Sequence, residues 1–411
     1  MQRGRFLRGV GSFGAAVGAS AAGLRAQPLP PATVTLGDEV FLQTAWRELA
    51  GARIGVITNQ SGVTSRLESI VDAIRANPRI HLRAIYAPEH GFRGDRTAGA
   101  YVGSYTDPQT KLPVYSLYGA QRHPSPAILR DVDVLLYDIQ DVGSRAYTFI
   151  STMAYAMQSA KRAGKAFWVL DRPNPVGGSI VEGPVLQPAF ASFIGLYPIA
   201  MRHGMTVGEL AKLFNEHFGI GADLHVVPMR GWHRSTIWPQ TGLQWVQTSP
   251  NIPEWRTAFV YLCTGLIDNA GVNNGVYFTK PFFYAGGLGV DGTALAARLN
   301  ARDLPGVWFR PAAWSPVAGF WKDKELSGVE LDVFEPARFL AVRTAVELLV
   351  AVRDIAPHLI RIRAADLDRD WGTNELRIAL ERGDNADAIL AQWDEPTAQF
   401  RTLRSKYLLY T

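Results

Sequence analysis

Short apolar runs alternate with longer stretches of helical period through the first half of the chain. Arg53–Thr58, Leu82–Tyr86, Pro113–Leu117, Val132–Asp138 and Ala166–Leu170 are such runs. Near-continuous apolar stretches of this length predict strands buried on both faces. Between them, Ser65–Ala76 and Ala146–Ala163 repeat apolar positions at helical spacing. Strands alternating with helices imply an α/β fold, a parallel sheet covered on both sides. Residues 27–38 read as a Pro-rich linker and Glu39–Ala50 as a short amphipathic helix, so this sheet domain spans 39–189. Beyond it the pattern is mixed. Helices are predicted at Thr206–Phe218, Asp291–Asn300, Pro336–Ile355, Trp371–Arg382 and Pro396–Leu408, with strands at Leu224–Pro228, Val307–Pro311 and Val329–Val333. Residues 190–411 therefore read as a second, smaller α+β domain.

Four of the predicted strands end in polar or acidic residues: Asn59-Gln60, Glu89-His90, Asp138 to Asp141, and Asp171-Arg172. A parallel arrangement gathers these on one edge of the sheet, where ligands of open α/β folds bind. Asp and Asn also cap helices, and a Pro-Glu turn can carry a plain surface ion pair, so each ending has a structural reading as well. The stretch Pro88-Glu89-His90-Gly91-Phe92-Arg93-Gly94 is the densest, with an acid, an imidazole and a guanidinium within five residues. Proton transfer is the chemistry such a cluster suggests.

The N-terminus changes the charge picture. Arg3, Arg5 and Arg8 precede an uncharged Gly-, Ala- and Ser-rich run to Leu24, which reads as a signal peptide over residues 1–26, by the general or the twin-arginine route. Its four arginines and lack of acids mean that cleavage takes the formal charge from +5 to +1. Nothing then points to nucleic acid or a polybasic membrane contact, and no later stretch has the length of a spanning helix. Cys263 is the sole cysteine, so no internal disulfide forms. His203, His217, His225 and His233 are too scattered for a zinc site and read as surface or capped histidines. One or two of Trp232, Trp238, Trp245 and Trp255 are expected to face a ligand. The glycine-rich stretch Gly287–Gly292 lacks the context of a dinucleotide loop, and no cofactor or metal is required.

A series of ordered motifs resembles a known family: Gly55-Val56-Ile57-Thr58-Asn59-Gln60-Ser61-Gly62, Pro88 to Gly94, Leu112 to Gly119, Asp138-Ile139-Gln140-Asp141-Val142-Gly143, Leu170 to Pro175, Val181-Glu182-Gly183-Pro184, His203 to Leu210, Thr241 to Trp245 and Ser249 to Pro253. Together these resemble the YbbC/NamZ family, formerly a domain of unknown function, which includes the exo-β-N-acetylmuramidases of glycoside hydrolase family 171. The resemblance implies a Rossmann-like domain beside a smaller one, an active site in the cleft between them, and release of N-acetylmuramic acid from non-reducing ends of peptidoglycan fragments. It makes Glu89 the general acid, with His90 and Arg93 orienting it or the substrate. Glu182 is the first choice for the second carboxylate, followed by Asp141 and Asp171. Arg172, Arg93, Arg145 and Lys280 are candidates for the lactyl carboxylate of muramic acid, and Asn59, Asp138 and Asp268 complete the expected substrate-binding set. One segment departs from the family pattern: Asp268-Asn269-Ala270-Gly271 and Gly275-Val276-Tyr277-Phe278 stand where the family carries Glu-Gly-Thr-Asn and Gly-Arg-Gly-Thr. That departure leaves two rivals open, an exported muropeptide-binding protein without turnover and a hydrolase of another amino-sugar glycan. Oligomeric state is not legible.

Overall fold

β1 (Arg53–Thr58) sits centrally in a seven-stranded sheet with β2 (His81–Ala87), β3 (Tyr105–Thr106), β4 (Pro113–Ser116), β5 (Val134–Asp138) and β6 (Ala166–Leu170). In this computed structural model the described residues are 32–411 apart from 98, 101, 102 and 120; the expected signal peptide and the first residues of the linker lie outside them. The second half of the expected linker is not a free tether, because Val34 and Leu36 are buried and Thr35 bridges to Arg230. β7 (Glu182–Val185) and β8 (Ala200–Arg202) form a separate antiparallel pair.

β9 (Leu224–Val227) closes the large sheet by pairing parallel with β6, giving the order β3-β4-β2-β1-β5-β6-β9. The sequence places that strand in the second domain; its pairing carries the sheet well past residue 189. All neighbours are parallel except the short edge strand β3.

Consecutive strand residues face opposite sides, so each run divides between two cores. Val56, Ile85 and Leu136 pack with α1 (Gly37–Gln43) and α2 (Ile70–Arg75). Ile57, Tyr86, Leu135 and Tyr137 pack with α3 (Phe149–Ala163) and α4 (Val207–Glu216). α2 starts later than its apolar pattern suggests, because Ser69 accepts the Val71 N–H as its N-cap while Thr64–Glu68 close a turn.

The remaining chain builds an antiparallel sheet in the order β10-β12-β11. Its elements are α5 (Trp255–Thr264), β10 (Tyr284–Gly287), α6 (Gly292–Asn300), β11 (Val307–Trp314), β12 (Leu326–Val333) and α7 (Ala341–Ile355). α6 packs on β11 and β12, and α7 on α5 and α6. The apolar core beneath α3 and α4 continues into this lobe through Phe259, Leu331, Val346, Trp371 and Phe400. Among the described residues no helix is long and apolar enough to cross a membrane.

Candidate active site

Parallel register brings the polar strand ends together: Thr58 lies opposite Asp138, and Ile57 opposite Tyr86. Glu89 thus emerges beside Asn59 and Gln60, with Gln140 and Asp141 one strand further along. β2 and β5 flank β1, so Glu89 and Asp141 leave strands about 10 Å apart.

Glu89 owes its placement to the turn that follows it. His90 and Gly91 both take positive φ, 71° and 80°, a conformation costly for a residue with a side chain. The His90 Nδ1–H donates to the Arg96 carbonyl at 2.8 Å and fixes the loop. Glu89 itself is nearly buried. Its Oε1 accepts the Gly99 N–H at 3.1 Å and its Oε2 accepts the Thr148 hydroxyl at 2.8 Å. Burial, with Glu89 beside it, pushes the Tyr118 phenol up to about 12, so that phenol stays a donor facing the carboxylate. Arg93 turns away: it donates to Asp107 at 2.9 Å and Gln109 at 3.0 Å. Neither His90 nor Arg93 bonds to Glu89, so of the two expected roles the structure does not show the one of orienting Glu89 directly. Arg93 instead borders an open cavity of about 440 Å³ with Phe92, Arg96, Tyr105 and Gln109, next to Glu89 but not lined by it.

Most of the other expected carboxylates are spent internally. Asp138 is fully buried and pairs with Arg172, whose Nη2 also donates to Asp38 at 2.8 Å and the Val63 carbonyl at 3.0 Å. Asp171 accepts from the Arg172 and Gly208 N–H groups, the Thr206 hydroxyl and the Tyr410 phenol, the last at 2.6 Å. Glu182 accepts the Arg202 guanidinium at 2.9 Å and the Ala341, Val342 and Arg343 N–H groups at the start of α7. Both its oxygens cap a helix 160 residues away in sequence. Glu182→Ala strands buried Arg202 and uncaps α7, and is expected to cost roughly 2–4 kcal/mol. Denaturant unfolding should show that loss while kcat per folded molecule stays at the wild-type value.

The expected lactyl partners are likewise engaged. Buried Arg145 donates to the carbonyls of Pro184 and Trp371, each at 2.7 Å, stitching the two parts of the chain together. Lys280 pairs with Glu330 at 2.7 Å on the C-terminal sheet, and Asp268 is exposed at a short 3₁₀ turn. Trp232 and Trp238 are core residues, Trp245 donates to the Ile252 carbonyl, and Trp255 packs edge-on to Phe259.

Asp141 differs from these. Its Oδ2 accepts the Gly143 N–H at 2.7 Å, while its buried Oδ1 has no protein partner. His203 stands 3.8 Å away and is fully buried, not the surface or capped residue the sequence suggests. Its Nδ1 accepts the Met205 N–H, which leaves the proton on Nε2, aimed at Asp141. Burial pushes Asp141 up to about 7; burial, with Arg404, Arg145 and Arg234 nearby, pushes His203 down to about 3. Burying an ionised Asp141 therefore costs stability as pH rises from the unfolded carboxyl's pKa near 4 toward 7. Asp141→Asn is expected to melt above wild type at pH 8, with the gap closing by about pH 4; a gap independent of pH would contradict this. Thr148, Tyr118, Gln140 and His203 are the site residues that sequence reasoning missed.

Family models and relatives bear directly on this arrangement. Residues 54–256 match the N-terminal part of the exo-β-N-acetylmuramidase NamZ and residues 259–410 its C-terminal part. The chain belongs to the NamZ family. A peptidoglycan β-N-acetylmuramidase, NamZ of Bacillus subtilis (strain 168), is 44% identical over 407 residues, 98% of either chain. A crystal structure of a DUF1343 family protein from Bacteroides fragilis NCTC 9343 superposes with a TM-score of 0.87 at 37% identity, covering 93% of this chain and all of that one. A second protein of that description from the same organism gives 0.76 at 27% identity, over 92% of this chain and 99% of that one. As a NamZ family member the chain is a glycoside hydrolase, with a Rossmann-like parallel sheet and a smaller C-terminal lobe. The two family models meet near residue 257, which agrees with β9 belonging to the first sheet.

Proposed function

We propose that this protein is an exported exo-β-N-acetylmuramidase that removes N-acetylmuramic acid from the non-reducing end of peptidoglycan fragments, with Glu89 as its general acid. The observation that carries the reading is the carboxylate of Glu89, lifted over the edge of the parallel sheet by a strained turn and held by Gly99 and Thr148. The Bacillus subtilis relative's named activity supplies the substrate class. Glycosidic cleavage needs a proton for the leaving oxygen and a second polar group near the sugar. Asp141 is that second group, because Asp138, Asp171 and Glu182 are committed to ion pairs and helix ends. Residues 1–26 carry the chain out of the cytoplasm, to the side of the membrane on which the wall lies.

Incubation with the disaccharide N-acetylmuramyl-β-1,4-N-acetylglucosamine is expected to release both free sugars, and longer glycans to lose muramic acid only from the non-reducing end. Internal cleavage, or binding with no turnover, would overturn the assignment. Periplasmic or secreted material with an N-terminus at Gln27 or Ala22 is expected if the leader is cleaved.

A further inference from the structure

Four buried polar side-chain atoms without protein partners follow the ends of β1 and β5, Asn59 Nδ2, Gln60 Oε1, Gln140 Oε1 and Asp141 Oδ1, and a fifth, His203 Nε2, follows β8 and stands 3.8 Å from the Asp141 carboxylate. Three of these residues, Asn59, Gln140 and Asp141, are joined through hydrogen bonds. Asn59 Oδ1 accepts the Ser61 hydroxyl at 2.6 Å, Ser61 Oγ accepts the Gln140 N–H at 3.1 Å, and Gln140 Nε2 donates to the Asp141 carbonyl at 2.8 Å. Buried polar atoms in folded proteins are nearly always paired, so this set marks a place for partners from outside the protein. Its composition is specific. A donor, Asn59 Nδ2, and two acceptors, Gln140 Oε1 and Asp141 Oδ1, follow the ends of the paired strands β1 and β5, and a secondary amide presents one acceptor and one donor of its own.

Resting on the glycosidase reading, we propose that these strand ends form the pocket for the sugar's 2-acetamido group, and that Asp141, backed by His203, holds its N–H so that its carbonyl oxygen acts as the nucleophile. Asn59 donates to that carbonyl and Asp141 accepts from the nitrogen. A lone pair on the acetamido oxygen forms a bond to C1 as the C1–O glycosidic bond breaks, and the leaving oxygen takes the proton of Glu89. The product is a cyclic oxazolinium, whose N–H stays hydrogen-bonded to the Asp141 carboxylate. Water then adds to C1, giving its proton to ionised Glu89, while the C1–O bond to the acetamido oxygen breaks and restores the amide. Two inversions leave the β configuration intact. Asp141 suits this role better than attack on carbon or activation of water. It is buried, its Oδ2 is held by Gly143, and only its Oδ1 lacks a protein partner.

The test is kinetic and uses the wild-type protein first. Across 4-nitrophenyl β-muraminides carrying N-acetyl, N-difluoroacetyl and N-trifluoroacetyl groups, kcat/KM is expected to fall by about tenfold or more, because fluorine withdraws electrons from the attacking oxygen. Initial product seen by proton NMR should be the β anomer. Asp141→Asn is expected to lower kcat roughly 100-fold with KM within about threefold, and to flatten the fluorine series. A wild-type series that is flat, an α-anomer product, or azide rescue of Asp141→Ala with formation of an α-glycosyl azide would each overturn the inference while leaving the muramidase reading in place. A wild type that turns over no muraminide would overturn that reading and this inference together.

Discussion

Glu89→Gln is expected to lower kcat/KM on wall disaccharide by about 10³–10⁴-fold without changing the melting temperature. The substitution is nearly isosteric and keeps the local bonding. The amide oxygen still accepts the Gly99 N–H, and the amide NH₂ faces the Thr148 hydroxyl, which can rotate to accept. What disappears is the transferable proton, so the loss measures proton donation rather than folding. Thr148→Val should produce a smaller loss in kcat, since it removes only one of the groups that aim the carboxylate.

Arg172→Met is expected to be the most destabilising single change at the sheet edge, costing about 3–5 kcal/mol. Arg172 is 3% exposed and lies between two carboxylates that are fully buried, Asp138 and Asp38. Removing the guanidinium leaves these two facing each other without compensation, and also frees the Val63 carbonyl. A substrate-binding arginine would behave differently: KM would rise while stability stayed near wild type. Denaturant unfolding alongside KM separates the two, and a stability change under about 1 kcal/mol would contradict the structural role.

The sheet was legible because its strands are short apolar runs that stop at charged or amide residues, and parallel topology sends all of those stops to one edge. The roles of the individual acids were not. Asp171 is satisfied by Tyr410 from 239 residues away, and Glu182 by α7 from 160, and no local pattern announces partners so remote. α5 escaped notice because Trp255-Arg256-Thr257-Ala258-Phe259-Val260-Tyr261-Leu262-Cys263-Thr264 is buried on most sides and lacks a polar face. β10, Tyr284-Ala285-Gly286-Gly287, has no β-branched residue, yet Gly286 lets β12 approach closely and Gly287 makes room for Leu359. The stretch read as one helix over Trp371–Arg382 holds a break. Gly372, at φ 72°, ends Ala364–Trp371 before Glu375–Arg382 begins, and a side chain there would strike Leu186 and Arg145. The importance of His203 was hidden for the same reason as that of the acids: its partner Asp141 lies on another strand end.

Proton delivery from Glu89 to the leaving oxygen is the central step, and leaving-group dependence tests it alone. Wild type and Glu89→Gln should be compared on the disaccharide, whose sugar alkoxide needs protonation, and on a 2,4-dinitrophenyl β-muraminide, whose phenolate does not. The predicted result is a loss of about 10³-fold or more on the disaccharide with a far smaller one on the dinitrophenyl glycoside. Equal losses on the two substrates would contradict the assignment of Glu89 as the general acid.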